Sequence, residues 1–333
     1  MKYYPQLAGA FAEFLSGLKG QRVAVIGHQR PDGDCIGSQV AFCRVLRTLG
    51  IEAVCLNADA VPRRIKFLLG DTPFFLRDAV PHEGLLAVFT DCADHARAGE
   101  KMKLIYPAPY GCFDHHLSNA GFARHNFVDT GSAATAELLA GLFLDRGLTI
   151  DATSAQALYA GIMTDTGQFR FSSTSERVFH ICGALMALGA KPADAGLELY
   201  ERESMGKLQL LRHFIGSLKL ECGGRACIGI LPNGVFEQLN ASVEDTEGLV
   251  DYARSIDGVE IGALIEDRGG VIKASLRAKN GTYRVDTLAS QFNGGGHASA
   301  AGLNCPSTLA EFYPRLIAAI TRRLQEIDTA ASS

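Results

Sequence analysis

The chain has 333 residues, 32 Lys+Arg against 36 Asp+Glu for a net charge of −4, 47% hydrophobic residues and 36 Gly. At about 150 residues per domain this length predicts two domains, and the ordinary apolar and charged fractions exclude a disordered, collagenous or low-complexity chain. A negative chain also argues against a partner such as long nucleic acid, whose binding runs on phosphate neutralisation by Lys and Arg.

Leu7, Phe11, Phe14, Leu15 and Leu18 recur at helical spacing, so the first segment reads as a packed helix rather than a signal peptide. Residues 22–26 are a β-branched run and 38–49 carry a helix pattern; 51–56 and 85–90 read as strands, the latter ending at Asp91. A strand over 104–113 is expected to end at Asp114, and 135–145 and 154–163 read as helices. Strands alternating with helices predict an α/β fold with a mostly parallel sheet covered on both faces. Ligands bind such sheets beyond the carboxyl ends of the strands. The most apolar window, 181–190, is too short to span a membrane and reads as a buried helix. The nine Cys are odd in number and scattered, which predicts free thiols in the cytoplasm, with no membrane association.

From 192 to about 220 the pattern is polar and helical, a connecting helix or pair of helices. Strand-like runs follow at 226–231, 259–266 and 271–278, the last two joined by a hairpin signal at Asp267-Arg268-Gly269-Gly270. A helix is expected over 286–292 with Asp286 as its N-cap, and an amphipathic helix over 312–327 before a frayed tail. The domain layout expected is a larger α/β domain over 1–190, a linker over 191–220 and a smaller mixed α/β domain over 221–327.

Four acidic sites each follow an apolar strand or helix: His28-Gln29-Arg30-Pro31-Asp32-Gly33-Asp34, then Asp91, then Asp114-His115-His116, then Asp165. A lone Asp after a strand is ordinarily a cap or turn residue, and a lone His is ordinarily a hydrogen-bonded structural residue. Their joint occurrence in an alternating chain points instead to metal. His28, Asp32, Asp34, Asp91, His115 and Asp165 are too many groups for one cation and suit two divalent ions with one carboxylate bridging. An oxygen-rich set with two imidazoles favours Mn²⁺ or Mg²⁺ over zinc. Two such ions activate water and clamp a phosphoryl group, so the implied chemistry is hydrolysis of a phosphate ester or anhydride. Cys35, Cys92 and Cys112 lie beside these loops and read as small apolar filler.

The second half adds Gly294-Gly295-Gly296-His297, a run that lets backbone N–H groups approach an anion, with an adjacent helix N-terminus expected to add its dipole. Before it, Arg268, Lys273, Arg277, Lys279 and Arg284 occur with no acidic residue between them. Arg277 shares a strand face with Lys273, Ser275 and Lys279 and is the candidate phosphate fork.

The segments HQRPDGDCIGS (28–38), TDCADHARAG (90–99), FDHH (113–116), GIMTDTGQFRFSSTS (161–175) and GGGHASAAG (294–302) together resemble the DHH/DHHA1 phosphoesterase superfamily. The nearest branch is the stand-alone bacterial oligoribonuclease (nanoRNase) and pAp phosphatase group, where pAp is 3′-phosphoadenosine-5′-phosphate. The resemblance implies a Rossmann-like catalytic DHH domain, a linker and a smaller DHHA1 domain that closes over substrate. It implies one Mn²⁺ on His28, Asp32 and Asp91 and another on Asp34, Asp91, His115 and Asp165, with Asp91 bridging. His116 would contact the scissile phosphate and assist catalysis, Asp114 would orient the His pair, and Arg277, Gly294, Gly295, Gly296 and His297 would hold nucleotide phosphate or sugar. Short RNA, linear dinucleotides and pAp are the implied substrates, and family members are often homodimers. A cyclic-di-AMP phosphodiesterase, an inorganic pyrophosphatase and a non-catalytic nucleotide sensor are the alternatives.

Overall fold

A run as continuously apolar as residues 23–26 suits a strand covered on both faces, and these four residues have no solvent exposure. The computed structural model describes residues 2–331, which fall into two units divided between Arg202 and Glu203. The first unit runs α1 (Ala8–Gly17), β1 (Arg22–Ile26), α2 (Gly33–Thr48), β2 (Glu52–Asn57), β3 (Phe74–Leu76), β4 (Leu85–Thr90), α3 (Glu100–Ile105), β5 (Gly111–Asp114), β6 (His125–Val128), α4 (Thr135–Arg146), α5 (Ala152–Asp165), α6 (Glu176–Ala187) and α7 (Pro192–Tyr200). Its sheet is parallel throughout, in the order β3-β2-β1-β4-β5-β6. This is the Rossmann-like order, which reverses direction between β1 and β4.

The period of two along β1 sorts its side chains between two cores. Val23 and Val25 join the residues of α1, α2, α4 and α5, while Ala24 and Ile26 join Met102, Tyr106 and Cys112 on the other face. Six phenylalanines tie the first core together. Phe113 stacks on Phe127 with centroids 4.6 Å apart, and Phe11, Phe14, Phe42 and Phe143 pack around them. Truncating a ring such as Phe113 to Ala would cost about 3–5 kcal/mol. Helices α2 and α5 cross unusually closely. A Cβ on Gly37 would lie 2.3 Å from the Ala157 carbonyl oxygen, and one on Gly161 would lie 3.2 Å from the Asp34 Cα.

Several boundaries differ from the sequence reading. α2 starts at Gly33, not 38, because Asp32 caps it by accepting from the Cys35 N–H at 3.0 Å. The strand expected over 104–113 is only β5; residues 104–105 end α3, and Pro107 and Pro109 separate the two. The short edge strands β3 and β6 carry no alternation and were not expected. α6 buries one face only, since Met186 and Leu188 are exposed while Val178, Ile181 and Leu185 are buried.

The second unit runs α8 (Met205–Gly216), β7 (Lys219–Glu221), β8 (Ala226–Leu231), α9 (Val235–Gln238), α10 (Leu249–Ser255), β9 (Ile261–Asp267), β10 (Val271–Ala278), α11 (Val285–Ser290), β11 (Gly295–His297), β12 (Ala300–Pro306) and α12 (Leu309–Ala331). Its sheet order is β11-β12-β10-β9-β8-β7, antiparallel except for β8 beside β9. The hairpin expected at 267–270 joins β9 to β10. Asp286 is not a cap. Arg284 occupies the N-cap position with φ 48°, and Asp286 forms an ion pair with it at 2.7 Å. The last helix starts at Leu309, where Thr308 and Glu311 exchange capping hydrogen bonds. It continues past 327 to Ala331, with Asp328 held by Arg225, so the expected fraying is absent there; the rest of that tail lies outside the described residues. Among the described residues no helix is long and apolar enough to cross a membrane.

Candidate metal centre

Adjacent parallel strands end at one edge, and three of them end in this site. Beyond β1 lies the loop with His28 and Asp32, beyond β4 comes Asp91, and β5 closes at Asp114 before His115 and His116. Asp34 lies in the first turn of α2, and Asp165 is the last residue of α5. The close α2–α5 crossing brings these two carboxylates to the same edge.

Asp91 is the centre of the arrangement. It adopts a left-handed backbone, φ 58°, which Asp tolerates better than most residues and which recurs at functional sites. Its N–H donates to the Phe113 carbonyl at 2.9 Å and its Oδ1 accepts from Thr135 Oγ1 at 3.1 Å. Asp91 Oδ2 faces His28 Nε2 at 3.3 Å, while Oδ1 faces His115 Nε2 at 3.6 Å. One carboxylate thus addresses two imidazoles through different oxygens. On the first side, Asp32 Oδ2 lies 3.7 Å from His28 Nε2. On the second, Asp34 Oδ2 and Asp165 Oδ2 lie 4.0 and 3.2 Å from His115 Nε2. Both imidazoles turn Nε2 inward. His28 Nδ1 donates to the Gln29 carbonyl at 2.8 Å, so loss of the Nε2 proton would leave that nitrogen's lone pair for a cation; His115 Nδ1 faces the Ser132 carbonyl at 3.4 Å.

The electrostatics fit a cation. Burial, then the charges of Asp91 and Asp32, push the Asp34 carboxyl well above the usual range, although two α4 N–H groups donate to it at 2.7 and 2.8 Å. Burial and the charges of Asp34, Asp32 and Asp91 push Asp165 up in the same way. Burial works against charge on His28, but Cys35, Asp32 and Asp91 around it hold the imidazole well above its usual value. Burial would also raise Asp91, but the hydrogen bond from His28 and the charges of His28, His115 and His116 hold it well below the usual range. Packed carboxylates that repel one another this strongly are relieved by divalent ions. The donor set, carboxylate-rich with two imidazoles, suits Mn²⁺ or Mg²⁺. Cys35 is near enough to His28 and Asp91 to share a cation. Burial above all pushes its thiol up, and the neutral S–H donates to Gln39 at 3.8 Å.

His116 adjoins the same cluster and is anchored by Asp114. Its Nδ1 donates to Asp114 Oδ1 at 2.7 Å, and Asn119 Nδ2 donates to Asp114 Oδ2 at 2.7 Å. Burial pulls His116 down, but the Asp114 bond and the charges of Asp91 and Asp114 prevail and raise it. It lies beside the cluster, 3.7 Å from Asp91 Oδ1.

In the second unit the glycine run is an edge strand, not a helix N-terminus. Arg277 pairs with Ala300 and Ala300 with His297, so all three share one row and one face of the sheet. A Cβ on Gly296 (φ 150°) would lie 2.5 Å from the Ala300 carbonyl oxygen, and one on Gly294 would lie 2.4 Å from that of Gly302; Gly295 faces open space. Of the five basic residues, Arg268 and Lys273 are paired with buried Glu266 and Arg284 with Asp286. Arg277 has no carboxylate within ion-pair distance among the described residues, and its Nη1 donates only to the Leu276 carbonyl at 3.1 Å. Burial lowers it.

A family model described as the DHH family, N-terminal domain, matches residues 22–162, and the DHHA1 domain model matches residues 230–326. The chain belongs to the DHH/DHHA1 phosphoesterase superfamily. It is 29% identical over 318 residues to the bifunctional oligoribonuclease and PAP phosphatase NrnA of Thermus thermophilus, covering 94% of this chain and 93% of that one. It is 25% identical over 280 residues to the protein of the same name in Bacillus subtilis, covering 83% and 86%. In fold it is similar to an exopolyphosphatase-related protein from Bacteroides fragilis, with TM-score 0.88 and 23% identity over 98% of each chain.

The DHH cluster depends on residues that the sequence did not single out. Thr135, Ser132 and Asn119 each hold a member of it, yet all three are common polar residues in loops or at a helix start. Asp165 lies just beyond the match to the DHH model but joins the cluster through α5. Of the five remaining histidines, His82 meets the Tyr106 hydroxyl, His95 stacks on Phe122, His125 packs on Tyr110, His180 lies 3.8 Å from Glu176, and His213 is in the last turn of α8.

Proposed function

We propose that this chain is a cytoplasmic phosphoesterase that hydrolyses short oligoribonucleotides and linear dinucleotides to mononucleotides, and pAp to AMP, with two Mn²⁺ ions for which Mg²⁺ substitutes. The observation that carries this reading is the two-sided placement of Asp91, one oxygen towards His28 and the other towards His115. His28, Asp32 and Asp91 would hold one ion, and Asp34, Asp91, His115 and Asp165 the other. When bound, such a pair activates water and neutralises phosphoryl charge. The relatives named as oligoribonucleases and PAP phosphatases support the choice of substrate. The nine free cysteines, eight of them buried, support a reducing compartment.

The chain's own groups supply the rest. His116, with its Nδ1 proton committed to Asp114, presents Nε2 as a donor to a phosphoryl or leaving oxygen. Thr135 Oγ1 and the first N–H groups of α4 fix Asp91 and Asp34. In the DHHA1 unit, the row of Arg277 and His297 would take a nucleotide phosphate or sugar, with Gly295 leaving room for it.

The test is Mn²⁺-dependent hydrolysis of pAp, a 5′-phosphorylated RNA dimer to pentamer series, cyclic-di-AMP and pyrophosphate, with Asp91→Ala as the control. Turnover of pAp and the short RNAs, lost in the control, supports the reading. Turnover confined to cyclic-di-AMP or pyrophosphate replaces the substrate. Tight pAp binding without release favours a sensor.

A further inference from the structure

Three of the six clustered side chains are held by one short stretch of chain. The Ser132 carbonyl faces His115 Nδ1 at 3.4 Å, the Thr135 and Ala136 N–H groups donate to Asp34, and Thr135 Oγ1 donates to Asp91. The stretch has little support of its own, since Ala134 at the N-cap of α4 offers no side-chain hydrogen bond.

Its support comes from Arg177 in the first turn of α6. Arg177 Nε donates to Glu137 Oε1 at 2.7 Å, and Glu137 Oε2 accepts from the Ala133 N–H at 2.6 Å. Arg177 Nη2 reaches the Gly131 carbonyl at 3.0 Å, Asp129 Oδ2 at 3.2 Å and Ser132 Oγ at 3.3 Å. The guanidinium lies over the Tyr4 ring, 4.6 Å from its centroid. The Tyr4 hydroxyl is 2.7 Å from Ser132 Oγ, which donates in turn to Asp129 Oδ2 at 2.6 Å. Burial above all pushes the Tyr4 phenol up, so it stays protonated and donates to Ser132. Tyr4 is itself fixed, its N–H donating to Asp145 Oδ2 at 2.7 Å. A planar fork can bond two carboxylates, a carbonyl and a hydroxyl at once while stacking on a ring; an ammonium cannot reproduce that geometry.

We propose that Arg177, seated on Tyr4, is a positioning residue for the metal centre. It holds residues 129–137 so that His115, Asp34 and Asp91 converge, and it thereby sets metal affinity without touching metal or substrate. This rests on the two-ion reading above.

The test is calorimetric titration of the metal-free full chain with Mn²⁺, using wild type, Arg177→Lys, Tyr4→Phe and Asp91→Asn, beside thermal unfolding in chelator and steady-state kinetics. Arg177→Lys is expected to weaken Mn²⁺ binding by about 10-fold, within the range for outer partners of metal ligands. Its kcat should fall at limiting Mn²⁺ and recover at saturating Mn²⁺, with KM for substrate unchanged. Tyr4→Phe, which keeps the ring and removes one hydroxyl, should show a smaller loss in the same direction and remains informative if the Arg177 variant fails to fold. Wild-type Mn²⁺ affinity in the folded variants, with only a lower melting temperature, overturns the proposal. If Asp91→Asn also binds Mn²⁺ as wild type does, the metal reading itself falls. If Asp91→Asn loses binding while Arg177→Lys and Tyr4→Phe keep it, only the positioning role falls.

Discussion

Replacing Gly37 with Ala is expected to damage the metal centre from behind. The new Cβ would lie 2.3 Å from the Ala157 carbonyl oxygen and 3.1 Å from its carbon, both backbone atoms of α5 that cannot rotate aside. Ordinary contact requires α2 and α5 to part by roughly 1 Å. α2 carries Asp34 and α5 ends at Asp165, and both carboxylates face His115 Nε2, at 4.0 and 3.2 Å. Metal–ligand distances tolerate only about 0.2 Å, so a shift of that size removes one carboxylate from the set. The expected cost is about 1–3 kcal/mol of stability and a 10- to 100-fold loss of Mn²⁺ affinity, roughly 1.4–2.7 kcal/mol. Denaturant unfolding in chelator reads the first and calorimetric Mn²⁺ titration the second. Gly183→Ala is the matched control. It lies on the exposed face of α6 with nothing within 4 Å of the added Cβ, and it should raise stability by about 0.5–1 kcal/mol without touching metal binding. If Gly37→Ala behaves like Gly183→Ala, the packing of α2 on α5 does not position the site.

The metal-free protein should lose stability as pH rises above about 4 and on through the raised folded values of Asp34, Asp165, His28 and His116. Asp34 and Asp165 have raised folded pKa values, so ionising them costs stability above their unfolded value of about 4. His28 and His116 are also raised, and their contribution, full below about 6.5, is lost as pH passes their folded values. Asp91 acts oppositely but only at acid pH, where its depressed value makes protonation destabilising. Bound Mn²⁺ favours deprotonated ligands, so the melting-temperature gap between loaded and chelated protein should widen with pH; a constant gap would contradict this. Asp114→Asn keeps an oxygen acceptor but removes the negative charge that raises His116. The alkaline limb of kcat should move to lower pH and kcat should fall by up to about 10²–10⁴-fold; an unmoved limb removes His116 as the acid. Gly296→Ala, whose Cβ would meet the Ala300 backbone, should destabilise the edge of the second sheet, whereas Gly295→Ala should fold normally and raise KM. Equal melting temperatures for the two would contradict the edge-strand geometry.

The strand ends were legible because each candidate site follows an apolar run: the His28–Asp34 loop after residues 23–26, Asp91 after 87–90, and Asp114-His115-His116 after 111–113. Parallel pairing of β1, β4 and β5 then leaves one edge for all three. The start of α2 was obscured because Pro31-Asp32-Gly33 reads as a turn, although Asp32 caps the helix. Neither Thr135 nor Arg177 shows any local pattern, since their work is done on residues distant in sequence. The basic stretch 268–284 looked free of acid because its partners lie just outside it, at Glu266 and Asp286. The glycine run gave no side-chain alternation, so its strand pairing with β12 was not visible.

The central claim is a dinuclear centre bridged by Asp91. Anomalous diffraction at the manganese edge from Mn²⁺-soaked crystals tests it directly. The expected result is two peaks about 3.5–4 Å apart, one bound by His28 and Asp91 Oδ2, the other by His115 and Asp91 Oδ1. A single peak, or two ions of which only one or neither is bound by Asp91, would contradict it.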